Sequence, residues 1–275
     1  VLANVATTIG FAILGTVVYL LAIVTAQTRR GRFLLFFGVN DDHRDISIYV
    51  SRLEIRPGGT TGVEGRELKD GYTGPAITRI EYDAALALKR RLDSNWLVHV
   101  PRSIRALFRS SKHAFSSLDA QVDVGPPADF PGEEIRHLLA RNLVLIGSGV
   151  YNLLSARYQE SENSFFAFRE DQTGLWSVAL LIPGAEQTIE GRSKGLELAI
   201  IQRVKYPDVG NTIILCAGNG AGATHASALY LLENYVMLQR RYGYRDFGIC
   251  LAWRKPECPN EKLAGKPQIV CERSR

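Results

Sequence analysis

The sequence lacks the signatures of several common classes of enzyme. It contains no nucleophile elbow, no Walker A lysine and no H-E-x-x-H motif. Its four cysteines form no C-x-x-C pair, and the stretch between Cys258 and Cys271 has no histidine and no recognised zinc spacing. Cys216 and Cys250 lie in apolar runs that are typical of a buried core. The sequence therefore predicts no metal site.

Charged side chains are absent from the first 26 residues, although the 275-residue chain carries 33 basic and 28 acidic residues. A bilayer core needs about 20 apolar residues in a helix. The segment from Val5 to Ala26 meets that length and is apolar on every face, which predicts a transmembrane helix. A cleaved signal peptide is the alternative, but it needs a basic start and a shorter apolar region.

Three arginines, Arg29, Arg30 and Arg32, follow this segment directly. Positive residues beside a span mark its cytoplasmic side. We therefore expect an inner or plasma membrane protein whose remaining residues are cytoplasmic, with the lipid bilayer as a partner. Reduced cysteines agree with that compartment.

The rest of the chain alternates strand-like and helix-like segments. A strand, a glycine-rich loop and a helix follow one another twice, beginning at Asn142 and at Asn211. This alternation predicts an α/β fold with a Rossmann-like, mostly parallel sheet. We predict a transmembrane anchor with a basic stop-transfer segment at 1–32, a first α/β half at 33–132 and a second Rossmann-like half at 133–275.

The first half has several recognisable segments, including a second predicted strand at Ile46 to Ile55. Residues 32–39 predict a buried strand, and residues 76–92 predict a helix with one apolar stripe. Residues 57–74 are glycine-rich and irregular. Residues 102–118 predict a basic amphipathic helix, which fits a solvated face, a face against anionic lipid or a nucleic-acid contact. Nucleic acid is the least favoured of these because no interleaved aromatic platform accompanies the charge.

The sharpest motif is a glycine loop, GNGAGA, between a predicted strand and a predicted helix. It fits the G-x-G-x-x-A pattern, in which backbone N–H groups and a helix N-terminus approach a phosphate. A tight turn that serves only packing is the alternative. His225 lies near the start of the same helix, where a neutral imidazole suits an acid/base role. The predicted binding residues of this loop are Gly218, Asn219, Gly220, Gly222 and Thr224.

The other glycine loop, GSGVYN, lies between a predicted strand at 142–146 and a predicted short helix at 153–159. Its predicted binding residues are Gly147, Ser148, Gly149 and Asn152. If both loops lie at the carboxyl ends of neighbouring parallel strands, they border one crevice, which is where such sheets bind ligands.

Acidic residues offer candidate catalytic groups. Glu81 and Asp83 lie near the start of a predicted helix, where a carboxylate can act as a catalytic acid or base. The alternative is an ordinary acid that complements the helix dipole. The run Asn40-Asp41-Asp42-His43 follows the predicted first strand, where it can hold a cation or a ribose, or form a solvated turn.

The second half resembles a poorly characterised bacterial family of Rossmann-like domains. The matching pieces are NLVLIGSGVYN at 142–152, IILCAGNGAGATHASALYLLENY at 213–235 and RDFGICLAW at 245–253. More loosely, the chain is similar to TIR-like and SLOG-like domains of bacterial conflict and signalling systems. That resemblance implies a nucleotide or NAD-like ligand, although a shared fold does not fix function.

These observations predict a membrane-anchored protein whose cytoplasmic α/β region binds a nucleotide signal through the two glycine loops. Hydrolysis of a nucleotide or NAD-like N-glycosidic bond is the enzymatic alternative, with Glu81 or Asp83 as the acid and Asn152 or His225 orienting the substrate. A non-catalytic interaction module, in which both loops are packing turns, is the third. The sequence leaves the ligand and any homo-oligomer open.

Overall fold

The computed structural model describes residues 2–39, 45–55, 74–93, 118, 120–127, 129–170, 176–182, 185–191, 195–205, 211–254, 263 and 265–275. Five helices lie in these ranges: α1 Leu2–Phe36, α2 Arg79–Asp93, α3 Gly132–Leu139, α4 Leu153–Gln159 and α5 Ala221–Tyr242. The strands in these ranges are β1 Ile46–Val50, β2 Leu53–Ile55, β3 Gly74–Ala76, β4 Gln121–Val124, β5 Asn142–Ile146, β6 Phe166–Glu170, β7 Trp176–Ile182, β8 Ala185–Ile189, β9 Leu196–Lys205, β10 Thr212–Gly218, β11 Phe247–Arg254 and β12 Gln268–Ser274.

The main sheet has seven strands in the order β12-β11-β9-β10-β5-β1-β4. The pairs β4–β1, β1–β5 and β5–β10 are parallel, and β9 pairs antiparallel with both β10 and β11. β11 therefore runs in the same direction as β10, and only β9 and β12 oppose the other five strands. The predicted α/β class and mostly parallel sheet are confirmed. Strands from both predicted halves share this one sheet.

Helices cover both faces of the sheet, so its central strands are buried on both sides. All residues of β5 and β10 are buried, which explains their continuous apolar runs. One core cluster joins the sheet to α2, α5 and the end of α1, and the other joins it to α3, α4 and the small sheet β6-β7-β8. On α2, the buried stripe is Ala84, Ala85, Leu88 and Leu92, as its helical spacing predicts.

The prediction of a strand at 32–39 is wrong, because α1 continues to Phe36. Phe33, Phe36 and Phe37 are at most 3% exposed and have helical spacing, so one face of the helix enters the core. The Phe33 and Tyr235 rings lie 4.8 Å apart. Arg203 donates from Nε to the Phe36 carbonyl at 2.7 Å, which satisfies an end of the helix.

The earlier part of α1 differs from its end. Leu14, Val18 and Leu21 are 58–60% exposed. In the part of the chain that the structure describes, we find no helix long and apolar enough to cross a membrane. Within the predicted span, the side chains of residues 5–13, 23 and 26 lie outside that part. The transmembrane helix therefore stays a prediction.

Three other predictions also fall outside the described residues. They are the Asn40–His43 run, most of the glycine-rich stretch at 57–74 and the basic helix at 102–118.

Candidate ligand site at the carboxyl edge of the sheet

The order of the parallel strands reverses between β1 and β5. From β1 the chain passes through α2 to β4 on one side, and from β4 it passes through α3 to β5 on the other. Doubly wound sheets bind ligands at such a point, in the crevice beyond the carboxyl ends of the strands. Ser51 follows β1 and Gly147 follows β5, so these two residues lie at the reversal.

Gly147 and Ser51 approach each other too closely for any larger residue at position 147. A Cβ built on Gly147 would lie 2.0 Å from Ser51 Oγ, and the φ of Gly147 is +128°. L-residues rarely adopt that φ. The Gly147 N–H also donates to the Cys216 carbonyl at 3.0 Å, which ties this turn to β10. Glycine is therefore required here by both space and conformation.

Glu81 lies in the first turn of α2, and only 5% of it is exposed. Its backbone N–H donates to Thr78 Oγ1 at 3.3 Å, so Thr78 caps the helix. Burial raises the pKa of Glu81 from 4.5 to about 7, and the hydroxyls of Ser51, Thr78 and Thr224 lower it in part. The residue is therefore a carboxyl group that changes protonation near neutral pH.

Two buried polar atoms of this site, Glu81 Oε2 and Ser51 Oγ, make no hydrogen bond of ordinary geometry in the described part of the chain, although the Ser51 hydroxyl lies close enough to the carboxyl group to lower its pKa. A buried polar atom left without a partner costs about 1–3 kcal/mol. Native proteins retain few such atoms, and many of them serve a ligand, an ion or water. The pair therefore marks the reversal point as a candidate binding site.

Thr224 connects Glu81 to the loop after β10. Its Oγ1 accepts a hydrogen bond from the Gly218 N–H at 3.0 Å. A threonine hydroxyl has one proton to donate besides the pairs that accept, so it can also stabilise the Glu81 carboxylate, consistent with its effect on the pKa of Glu81. Thr224 is 1% exposed and the adjacent His225 is 6% exposed.

The two asparagines predicted to contact a ligand have structural hydrogen bonds. Asn152 Oδ1 accepts from the Ser155 N–H at 3.2 Å and caps α4, while its Nδ2 donates to the Tyr49 and Ile146 carbonyls at 3.4 and 3.5 Å. Asn152 thus ties β1, β5 and α4 together. Asn219 exchanges two hydrogen bonds with the backbone of Leu198, at 3.0 and 3.2 Å.

Most of the predicted binding glycines permit close packing. A Cβ on Gly218 would lie 2.5 Å from both Ala223 Cβ and Thr224 N, and one on Gly149 would lie 2.9 Å from Ala156 Cα. Gly220 is different, because its nearest neighbour would be Glu197 Oε2 at 3.8 Å. Gly222 is half-buried in the first turn of α5. The packing alternative therefore accounts for Gly218 and Gly149.

The other predicted site residues differ in exposure and in their contacts. Asp83 is exposed, so Glu81 alone of the two acids faces the strand ends. Ser148 is half-buried, and its carbonyl accepts from the Asn152 N–H at 3.0 Å. Sequence reasoning missed Ser51 and Thr78. Their signals were a hydroxyl directly after a strand and the T-x-x-E pattern that begins at Thr78.

Among the described residues, no group of three or more His, Cys, Asp or Glu side chains is placed to hold a metal ion. The chemistry available at the site is hydrogen bonding by hydroxyls and backbone N–H groups, with proton exchange at Glu81.

Compared with known proteins, the chain matches no family model, no curated protein and no solved structure at a significant level. The resemblance to TIR-like and SLOG-like domains stays a prediction. The geometry of the site is therefore the basis for a proposed function.

Proposed function

We propose that the protein binds a nucleotide or a nucleotide-derived molecule at the carboxyl ends of β1, β5 and β10. The observation that carries this proposal is the buried pair Glu81 Oε2 and Ser51 Oγ at the strand reversal, which make no hydrogen bond of ordinary geometry among the residues that the structure describes. A ligand hydroxyl or ring nitrogen can satisfy both atoms.

The surroundings favour a polar ligand that bears phosphate. α5 is 22 residues long, and its N-terminal N–H groups lie at the Gly220 turn with the positive end of the helix dipole. A carboxylate at such an edge commonly accepts from ribose hydroxyls. A phosphate near α5 and a ribose near Glu81 therefore match the two kinds of group present.

The pKa of about 7 for Glu81 favours a second candidate, hydrolysis of an N-glycosidic bond. A general acid works best when its pKa lies near the operating pH. In this reaction the protonated Glu81 gives its proton to the departing base nitrogen as the C1′–N bond breaks. The oxygen of a water molecule bonds to C1′, and the proton that this water releases returns to the Glu81 carboxylate.

We also propose that the first part of α1 holds the protein at a membrane. The support is the uncharged sequence of residues 1–26 together with the exposed apolar side chains of Leu14, Val18 and Leu21. Arg29 and Arg32 follow this segment and favour a cytoplasmic position for the sheet.

The test uses the full chain, purified in detergent, with a panel of nucleotides and NAD. Binding is measured by thermal shift, and turnover is measured by chromatography of the released base. We expect Glu81→Gln to lose the response. Asp83→Asn is the matched control, because it removes an acid two positions away on the exposed face of α2 and should respond as the native chain does.

Turnover with the native chain would establish the hydrolase. A shift without turnover would leave the binding function alone. No response to any nucleotide would favour the interaction module, and equal responses from both variants would remove Glu81 from the site.

A further inference from the structure

A cavity lies away from the sheet edge, between α1 and α5, and one residue of α2 contributes to it. Its volume is about 660 Å³. Five of the residues that line it are arginines, and none is acidic; the arginines are Arg29, Arg30, Arg32, Arg91 and Arg240. We call this cavity the arginine groove.

Some of these arginines also have structural roles. Arg30 donates from Nη2 to the Leu92 carbonyl at 3.0 Å, which fastens α1 to α2. The Arg91 guanidinium lies 5.8 Å from the centre of the Phe33 ring. Arg240 is in the last turn of α5, where a cation complements the helix dipole. These roles explain single residues, but not why five guanidinium groups surround one cavity.

Carboxylates of the described residues offset part of this charge. The Asp93 carboxylate attracts the Arg30 guanidinium group, and it also forms an ion pair with Lys89 at 2.8 Å. Glu233 lines a smaller neighbouring groove that shares Arg240 with this one. Five cations around a partly open cavity create a strongly positive potential that attracts a multivalent anion. Guanidinium groups in particular recognise phosphate, because their paired N–H donors match its oxygens.

The groove continues into the apolar part of α1. Ala22 and Thr25 form its edge on that helix, and the exposed side chains of Leu14, Val18 and Leu21 lie in the turns before them. A molecule that fits this sequence of surfaces has an anionic head and an apolar tail. A free phosphate accounts only for the arginines.

We infer that the arginine groove binds the phosphate headgroup of an anionic phospholipid. This inference rests on the proposed membrane association of α1 and extends it to a lipid-selective site. The groove would hold α5 and the sheet close to the membrane surface and make attachment depend on lipid charge.

The test measures binding of the full chain to phosphatidylcholine vesicles with and without phosphatidylglycerol. The variant is Arg29→Gln/Arg240→Gln, which removes two exposed arginines from the groove. Each basic residue near an anionic surface strengthens binding roughly fivefold, so we expect a loss of roughly 25-fold on phosphatidylglycerol vesicles. Binding to phosphatidylcholine should not change, and the preference should weaken as salt is added.

The matched control is Arg136→Gln/Arg254→Gln, which removes the same charge from exposed residues outside the groove. It should lose far less of the phosphatidylglycerol preference. Melting temperatures of all variants check folding. Arg29→Lys/Arg240→Lys keeps the charge but removes the paired N–H donors, so it should retain only part of the preference.

Equal losses from groove and control variants would overturn the inference, because they would indicate a general effect of charge. A thermal shift with inorganic phosphate that the groove variant loses, without any preference for phosphatidylglycerol, would assign the groove to a free anion and also overturn it. If the native chain binds only phosphatidylglycerol vesicles and the groove variant does not, the groove is supported while membrane attachment through α1 fails.

Discussion

The glycine loops after β5 and β10 resemble each other in sequence, but the structure uses them for different purposes. At the β5 loop, Gly147 brings the backbone against Ser51, whose hydroxyl makes no hydrogen bond of ordinary geometry in the described part of the chain. At the β10 loop, Gly218 lets the chain fold back on Ala223 and Thr224, and the Thr224 hydroxyl closes the turn. The first loop borders an unsatisfied site, whereas the second is largely satisfied. A shared glycine pattern therefore does not imply a shared role.

The largest expected effect tests the first loop. Gly147→Ala combines a strained φ with a collision against Ser51 Oγ, so we expect it to lower the free energy of unfolding by about 4 kcal/mol. Urea unfolding of the full chain in detergent, followed by circular dichroism, measures this loss. Adding Ser51→Gly removes the collision but not the strain, so the double variant should recover part of the loss. A loss of less than about 1 kcal/mol in the single variant would show that the loop is not under the constraint described.

The next effect concerns Glu81, which lies between the two loops. Because its pKa is raised to about 7 in the folded state, the folded protein holds this proton more tightly than the unfolded chain. The contribution of Glu81 to stability is therefore complete below pH 4.5 and is lost as the pH rises from there to about 7, by on the order of 3 kcal/mol. Urea unfolding across this range should show the decline in the native chain and not in Glu81→Gln.

Asp83→Asn serves as the control and should keep the decline, because Asp83 is exposed on the same helix. The hydroxyl of Ser51 lowers the pKa of Glu81 more than that of Thr224 does. Ser51→Ala should therefore shift the decline to higher pH by more than Thr224→Ala does. A larger shift in Thr224→Ala than in Ser51→Ala would show that Glu81 interacts mainly with the β10 loop and not with the β5 side.

A smaller effect tests the second loop. In Gly218→Ala, the new Cβ meets the backbone of Thr224 and the Cβ of Ala223 at 2.5 Å. Neither neighbour is the end of a flexible side chain, so we expect a loss of about 2 kcal/mol in urea unfolding. No strained φ is involved, which is why this loss should be smaller than that of Gly147→Ala. A larger loss here would reverse the comparison between the loops.

Much of the architecture was predictable, because burial on both faces leaves a clear apolar run. The predicted bounds of β5 and α4 agree with the structure, Asn142–Ile146 and Leu153–Gln159. The helical pattern of α2 likewise placed Glu81 in its first turn. The end of α1 was not predictable as a helix, because the short apolar run at 32–39 fits a strand as well as a helix.

The direction of each strand, and the contacts between residues far apart in the chain, could not be predicted from the sequence. The apolar run of β9 does not reveal that it lies antiparallel between β10 and β11, since a strand buried on both faces reads alike in either direction. The site itself depends on Ser51 meeting Gly147, and no local pattern joins residues so far apart in the chain. Asn152 was assigned to a ligand because the sequence could not show that its amide ties β1 to β5.

The smallest expected effect separates stability from binding within the second loop. Gly220 begins α5 with an extended φ of −166°, and a Cβ there would meet nothing closer than 3.8 Å. Gly220→Ala should therefore cost only about 0.5 kcal/mol in urea unfolding, the difference between glycine and alanine at a helix N-cap.

Gly220→Val fits the same open space but covers the N–H groups at the start of α5. If these groups hold a phosphate, Gly220→Val loses the nucleotide thermal shift while remaining folded. A valine variant that is stable and still shifts would limit the ligand to the β1 and β5 side, where Ser51 and Glu81 lie.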